Sequence, residues 1–302
     1  MRRKNSKNYI ILTSLIFIVL FLIYIFCIIN KPITEVNSPT IINSDANIDL
    51  TGDGIPENIK IINNKNHSDL QITTFKKTIL LSSLTSDNYI SDYSNSYNMN
   101  VLILNISRDN KPEILIQGYK KNSPITYLFT YEQNKFVLKY SSKTPIVGLI
   151  DSNMNRTPQL YLLNGINTKK SFKNFMLIND ELIDITKNSK IIADYDKILS
   201  FINIVSLDYE ITDYPDIFHK YIEESNISVL YKLDKDNFKY SFKDGFFYDN
   251  EVDSDGILQN IRWNVTFEKT NKASLKKEEI IFELDLSRED SKNFKISNIC
   301  LK

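Results

Sequence analysis

The chain is poor in the residues that most enzyme signatures are made from. It has seven glycines, two histidines, two cysteines and one tryptophan in 302 residues. Seven glycines leave little room for phosphate-cradling loops, and there is no Gly-x-Ser-x-Gly elbow, no His-Glu-x-x-His helix and no Cys/His zinc spacing. His67 lies in a polar stretch and reads as solvent-exposed, and His219 reads as structural. Cys27 sits inside an apolar run and Cys300 is third from the C-terminus, so no disulfide framework staples the folded part, which must rest on its cores. Net charge is also missing: 37 basic residues balance 37 acidic ones. Arg2, Arg3, Lys4 and Lys7 all precede the first acid, Glu35, which leaves the remainder mildly acidic. That balance excludes the basic footprint of a nucleic-acid binder.

What is present begins with an anchor. Tyr9 to Ile29 contain no charge, glycine or proline. As a helix these residues would be about 31 Å long, enough to cross the hydrocarbon core. The basic cluster before them predicts that residues 1–8 form a cytoplasmic tail and that the rest lies outside, so the lipid bilayer is the first expected partner. A cleaved signal peptide would want small residues at its cleavage site. No glycine or alanine precedes Ala46, and Tyr24, Ile25 and Phe26 are too bulky for a lipobox before Cys27. Residues 30–45, with Pro32 and Pro39, read as a short extended linker. The expected location is a single-pass position in the cell membrane, on a Gram-positive surface.

The most informative stretch is Asp49-Leu-Thr-Gly-Asp-Gly-Ile-Pro-Glu57, followed by the strand-like residues 58–62. Asp49, Thr51 and Asp53, the backbone carbonyl of Ile55 and the carboxylate of Glu57 fall at positions 1, 3, 5, 7 and 9 of a loop. Calcium needs several hard oxygens from one short segment, and Gly54 at position 6 permits the bend. The same residues also suit a plain hairpin turn. The loop recurs as Asn105-Ile-Ser-Arg-Asp-Asn-Lys-Pro-Glu113 and as Asp151-Ser-Asn-Met-Asn-Arg-Thr-Pro-Gln159, the starts being 56 and 46 residues apart. In all three, proline stands at position 8, a carboxyl or amide at position 9, and a β run follows. Register held at such a period marks a repeat array.

These residues resemble the FG-GAP/VCBS-type repeats of bacterial surface proteins and integrin-like propellers, whose motif is Asp-x-Asn-x-Asp-Gly-x-x-Asp before a hydrophobic strand. The first copy matches at Asp49, Asp53, Gly54 and Glu57. The second keeps acids at Asp109 and Glu113, and the third keeps only Asp151. The resemblance implies a β-repeat domain over residues 46–190, a propeller-like arc of about three four-stranded blades, with one calcium at the first loop. Blade two would run through residues 101–105, 113–119, 125–131 and 136–140.

From about residue 195 the pattern becomes α+β. Ile198, Leu199, Ile202 and Val205 share a helical face, and residues 215–224 read as a second helix opened by proline. Ile261, Trp263, Val265 and Phe267 alternate with polar residues, as do Ile280, Phe282, Leu284 and Leu286, which predicts antiparallel strands over the rest of residues 195–302. Asp255-Gly256 reads as a hairpin turn. The aromatics Phe238, Tyr240, Phe242, Phe246, Phe247 and Tyr248 read mainly as core. By order of elements this part is loosely similar to the cystatin-like or nuclear-transport-factor-like cone. The expected fold class is mainly β plus α+β behind a single transmembrane helix. The expected function is non-enzymatic binding or assembly outside the cell, with a protein or glycan partner. The alternatives are a wall-directed glycan hydrolase using carboxylates of the C-terminal domain and a docking subunit of a membrane complex.

Overall fold

The computed structural model describes residues 18–21, 34–35, 39–94, 96–151, 157–165, 170–192, 194–290 and 293–302. The expected membrane span and basic tail lie outside the described residues, apart from 18–21, which are helical. Among the described residues no helix is long and apolar enough to cross a membrane. The described chain is mainly β, and none of its sheets closes into a barrel.

Two short strands come first, β1 (Thr34–Glu35) and β2 (Thr40–Ile42). A first antiparallel meander follows, β3 (Ala46–Ile48), β4 (Glu57–Asn63), β5 (His67–Thr73) and β6 (Thr78–Leu80), with β7 (Ser91–Asp92) paired beside β5. The second meander is β8 (Asn100–Leu104), β9 (Glu113–Lys120), β10 (Ser123–Glu132) and β11 (Lys135–Ser142), with β2 added against β8. The third is β12 (Ile146–Ile150), β13 (Gln159–Asn164), β14 (Ser171–Ile178) and β15 (Glu181–Asp184). Helices α1 (Tyr195–Ser206) and α2 (Glu224–Tyr231) precede four long antiparallel strands, β16 (Phe238–Val252), β17 (Leu258–Asn271), β18 (Lys277–Arg288) and β19 (Phe294–Leu301).

Each of the three repeat loops joins the first and second strands of a four-stranded meander, and the strands expected for blade two match β8–β11 one for one. Asparagine does much of the turning. The hairpins at Lys121-Asn122, Gln133-Asn134 and Asn179-Asp180 place both central residues at positive φ, the geometry whose twist suits a two-residue connection. Four arrangements differ from the sequence-based expectation. Residues 30–45 are not simply a linker: β2 pairs with β8 through Thr40↔Ile103 and Ile42↔Val101, and Ile42 is buried, because an apolar pair there completes a sheet edge. The segment 215–223 is not a helix. Ile217 accepts the Ile296 N–H and His219 donates to the Ile296 carbonyl, which draws this stretch out along β19, and the helix starts only at Glu224. The expected boundary between residues 190 and 195 does not separate two sheets. Strand β12 pairs in parallel with β16, Ile146↔Gly245 to Leu149↔Tyr248, so the third meander and the C-terminal strands share one nine-stranded sheet. The third meander is therefore not a free-standing blade.

The sheets stack in layers because several strands are apolar on both faces. Val101 and Ile103 of β8 and Ile114 and Ile116 of β9 face Ile59, Leu70 and Ile72 of the first meander. Leu102, Leu104 and Leu115 face the other way, onto Val147, Leu149, Leu160, Leu162 and Phe246 of the nine-stranded sheet. The far side of that sheet buries Ile146, Phe247, Trp263, Val265, Phe282 and Leu284 under Ile198, Phe201, Ile202 and Val205 of α1. The second meander is thus a middle layer, and the end at which its loop emerges carries the candidate site.

Candidate functional site

Loops one and two are closed by the same device. Glu57 and Glu113, the first residues of β4 and β9, are 3% and 2% exposed. Glu57 Oε2 accepts the Leu50 N–H at 2.8 Å, and Glu113 Oε2 accepts the Ile106 N–H at 2.6 Å, in each case from seven residues back. A second feature repeats at position 5. Asp53 Oδ1 accepts the Ile55 N–H and Asp109 Oδ1 the Lys111 N–H, which are Asx turns that set the loop's return. In loop three, Gln159 Oε1 instead accepts from Asn174 Nδ2 and the Tyr161 hydroxyl, and residues 152–156 lie outside the described residues.

The five residues expected to hold calcium are together in loop one, but their oxygens serve the loop's own donors. Asp49 accepts the Gly52 and Gly54 N–H groups at 2.7 and 2.8 Å. Glu57 also accepts from the Thr51 N–H at 3.2 Å and the Thr51 hydroxyl at 3.4 Å. Asp53 and Ile55 are exposed. Among the described residues no three His, Cys, Asp or Glu side chains gather as a metal-holding group. As arranged, the carboxylates of Asp49, Asp53 and Glu57 are each engaged by the loop's own N–H groups, and calcium would have to compete with those bonds for its oxygens. Millimolar calcium should therefore shift the melting temperature by less than about 1 °C, and Asp53→Ala should leave that small response unchanged. A rise of several degrees, lost in Asp53→Ala, would mean that the loop re-forms around the ion.

Burial raises the Glu113 carboxyl to about 7, against the pull of the N–H groups that it accepts. The folded protein therefore holds this proton more tightly than the unfolded chain, so stability falls as pH rises between about 4.5 and 7. The shift corresponds to an effect on the order of 3 kcal/mol. Lowering pH from 7.5 to 5 should raise the melting temperature, and Glu113→Gln should flatten the rise while keeping an oxygen for the Ile106 N–H. Carboxylates held below their usual range, such as Glu268 beside Lys277 and Lys243, lose their contribution only at lower pH. A melting temperature that falls steadily from pH 7.5 to 5 would contradict this assignment.

Loops two and three meet β16 around a cleft of about 600 Å³, inside the range typical of ligand sites. Its lining includes Asn105, Arg108, Asp151, Tyr248 and Asp249, with Pro39 at its edge. Arg108 is ion-paired to Asp151 Oδ2 and remains 44% exposed at its side chain. The Asp151 N–H donates to Asp249 Oδ2 at 2.9 Å, which ties loop three to β16 beneath the cleft. Asp151 Oδ1 is buried without a hydrogen-bond partner among the described residues. Asp151 stood out in the sequence only as the acid kept by the third repeat loop, and Arg108 and Asp249 did not stand out at all. Arg108 and Asp151 occupy non-equivalent loop positions, and Asp249 belongs to a strand whose neighbour, β12, is set only by the tertiary fold.

The most strongly perturbed carboxyl group of the C-terminal strands is Asp244, which lies elsewhere. It is 3% exposed, and burial raises it to about 6. The Tyr97 hydroxyl and Asn100 Nδ2 donate to its two oxygens, and the Thr266 side chain adds a third bond. The adjoining cavity is only about 140 Å³. This is a joint between the second meander and the nine-stranded sheet. Gln117 reinforces it by donating to the Pro145 and Gly245 carbonyls, and Ser96 by donating to Glu268. Glu279, also raised by burial, accepts the Asn98 N–H in the same joint.

In comparisons with known proteins the chain matches no family model, no curated protein and no solved structure.

Proposed function

We propose that this chain is a non-catalytic binding protein, held at the outer face of a cell membrane by residues 9–29, that takes a surface glycan into the cleft at the loop end. The observation that carries the reading is the cleft's lining: Arg108 and Asp151 side by side, with Asp151 Oδ1 lacking a donor among the described residues. Sugar hydroxyls both donate to a carboxylate and accept from a guanidinium, and the Arg108 side chain is 44% exposed to the cleft. A protein partner would instead want large exposed aromatic or aliphatic anchors, and Tyr248 is mostly buried. The anchor is supported by the basic cluster before an uncharged 21-residue run, and by residues 18–21, helical with all four apolar side chains exposed. Kinship with FG-GAP/VCBS-type repeats is supported by the three loops, each joining the first two strands of a four-stranded meander, and by the bonds at loop positions 2, 5, 7 and 9 that loops one and two share. Calcium is not part of the proposal. The hydrolase alternative is weaker, because Asp244 is committed to Tyr97, Asn100 and Thr266 in a cavity too small for a sugar chain.

The protein should co-sediment with insoluble wall glycan from Gram-positive cells. Arg108→Ala should reduce the bound fraction at least fivefold at an unchanged melting temperature. No co-sedimentation by the parent protein would end the glycan reading, and release of reducing sugar would end the non-catalytic one. Protease added to intact cells should remove the folded part, and full resistance would end the external placement.

A further inference from the structure

The described residues include one feature that links the anchor to the fold. Strand β1 lies antiparallel to the last residues of β16, with Thr34 opposite Val252 and Glu35 opposite Glu251. Only residues 30–33 separate Ile29, the last residue of the proposed span, from Thr34. Whatever their conformation, those five peptide steps reach at most about 18 Å. The chain is therefore gripped by the nine-stranded sheet almost as soon as it leaves the bilayer, at the end where β16 turns into β17. The turn itself is tight: Gly256, at φ +74°, donates its N–H to the Asp253 carbonyl, and the Asp253 N–H donates to the Ile257 carbonyl. Because β12 runs parallel to β16, its C-terminal end, Ile150 leading into Asp151, emerges at this same end of the sheet. So does Pro39, four residues after Glu35, at the edge of the cleft. The opposite end, the β17–β18 turn at residues 272–276, lies about 43 Å away along β17.

We propose that the β16–β17 hairpin end of the nine-stranded sheet is a lipid-facing surface, set against the headgroups by the pairing of β1 with β16, so that the cleft lies in the membrane-proximal layer. The inference rests on the reading of residues 9–29 as an uncleaved anchor. A long free linker would let any face of the folded part meet the membrane; a strand paired within about 18 Å of the span keeps this end of the sheet nearest to it. The hairpin brings Glu251, Asp253 and Asp255 to this end with no lysine or arginine between residues 249 and 257, and its one large apolar side chain there, Ile257, is 43% exposed. Such a tip gains nothing from anionic headgroups and does not enter the hydrocarbon, so what sets it beside the bilayer is the short tether through β1 and not charge. The glycan reached by the cleft is then a polymer that begins at the membrane, such as one carried on a lipid.

The test uses the full chain with Cys27→Ala and Cys300→Ser, reconstituted in vesicles of phosphatidylcholine and phosphatidylglycerol. A fluorophore is placed on Ser254→Cys at the hairpin or on Ala273→Cys at the opposite end, both exposed positions. A short-range quencher linked to the lipid headgroups should reduce emission at least fivefold more at residue 254 than at residue 273, and a quencher deep in the acyl chains should affect neither. Thr34→Pro, which breaks the β1–β16 pairing, should erase most of the difference while the protein still floats with the vesicles. Equal quenching at the two sites, or stronger quenching at residue 273, in protein that floats would overturn the orientation and leave the anchor standing. Loss of flotation in the parent protein would overturn the anchor, and the orientation with it.

Discussion

Asp244→Ala should destabilise the protein by on the order of 2–5 kcal/mol, a large fraction of the total for a folded chain. The aspartate accepts from the Tyr97 hydroxyl, Asn100 Nδ2 and the Thr266 side chain in a nearly closed site. Removing the carboxyl leaves Tyr97 as a buried donor with nothing to meet, which costs about 1–3 kcal/mol, and the half-buried Asn100 without its partner, which costs less. Tyr97→Phe removes a donor and leaves the other two bonds in place, so it should cost less, on the order of 1 kcal/mol. Asp244→Asn separates packing from charge. Burial places the aspartate near pH 6, so the native protein carries an uncomfortable anion at neutral pH and loses stability as pH rises from about 4 to 6. The asparagine variant should lose that slope while falling between the parent and the alanine variant at pH 7.5. Urea unfolding at pH 5 and 7.5 reads both effects. An alanine variant within about 0.5 kcal/mol of the parent would mean that water reaches the joint and that the meander is not locked to the sheet there.

Gly148→Ala should cost about 4 kcal/mol or more, and in the extreme yield no soluble protein. Overpacking a core ordinarily costs about 1–3 kcal/mol because neighbours shift. Here they have little freedom. A β-carbon on Gly148 would lie 2.0 Å from Phe247 Cζ, its direct partner across the β12–β16 pairing. The Phe247 ring is fully buried, stacked on Trp263 at 4.2 Å between centroids and tilted against Tyr161 at 6.3 Å. The glycine is needed because a phenyl ring lies across the strand, and not because of backbone conformation. Shortening the ring tests this directly. Phe247→Leu alone should be destabilising, but in combination with Gly148→Ala the cost should be well below the sum of the two, a coupling that a double-mutant cycle measures. Additive effects would mean that the two residues do not touch.

Much of the local structure was legible. Alternation at Ile261, Trp263, Val265 and Phe267 located β17, the period-3.6 face of Ile198, Ile202 and Val205 located α1, and Asp255-Gly256 located the hairpin. The repeat register found all three meanders. The roles of the repeat residues were not legible. A carboxylate at loop position 9 is chemically able to bind calcium or to accept a backbone N–H, and the choice depends on whether the chain seals it from water, as it does at Glu57 and Glu113. The stretch 215–223 has a helix-like opening at Pro215, yet pairing with Ile296 draws it out. Asp151 was legible only as a repeat-loop acid, and Arg108 and Asp249 gave no signal, because charged residues in a loop or at a strand end are ordinary until three elements bring them to one cleft.

The sequence by itself determined which segments are strands and which of their faces are apolar, since side-chain alternation and the turn residues act between near neighbours along the chain. Only the tertiary structure decided that β12 lies beside β16, that β1 grips the same strand just beyond the proposed span, and that the repeat carboxylates cap amides. Those outcomes are contests between distant partners for the same hydrogen-bonding edges and apolar faces, settled by the packing of the whole sheet stack.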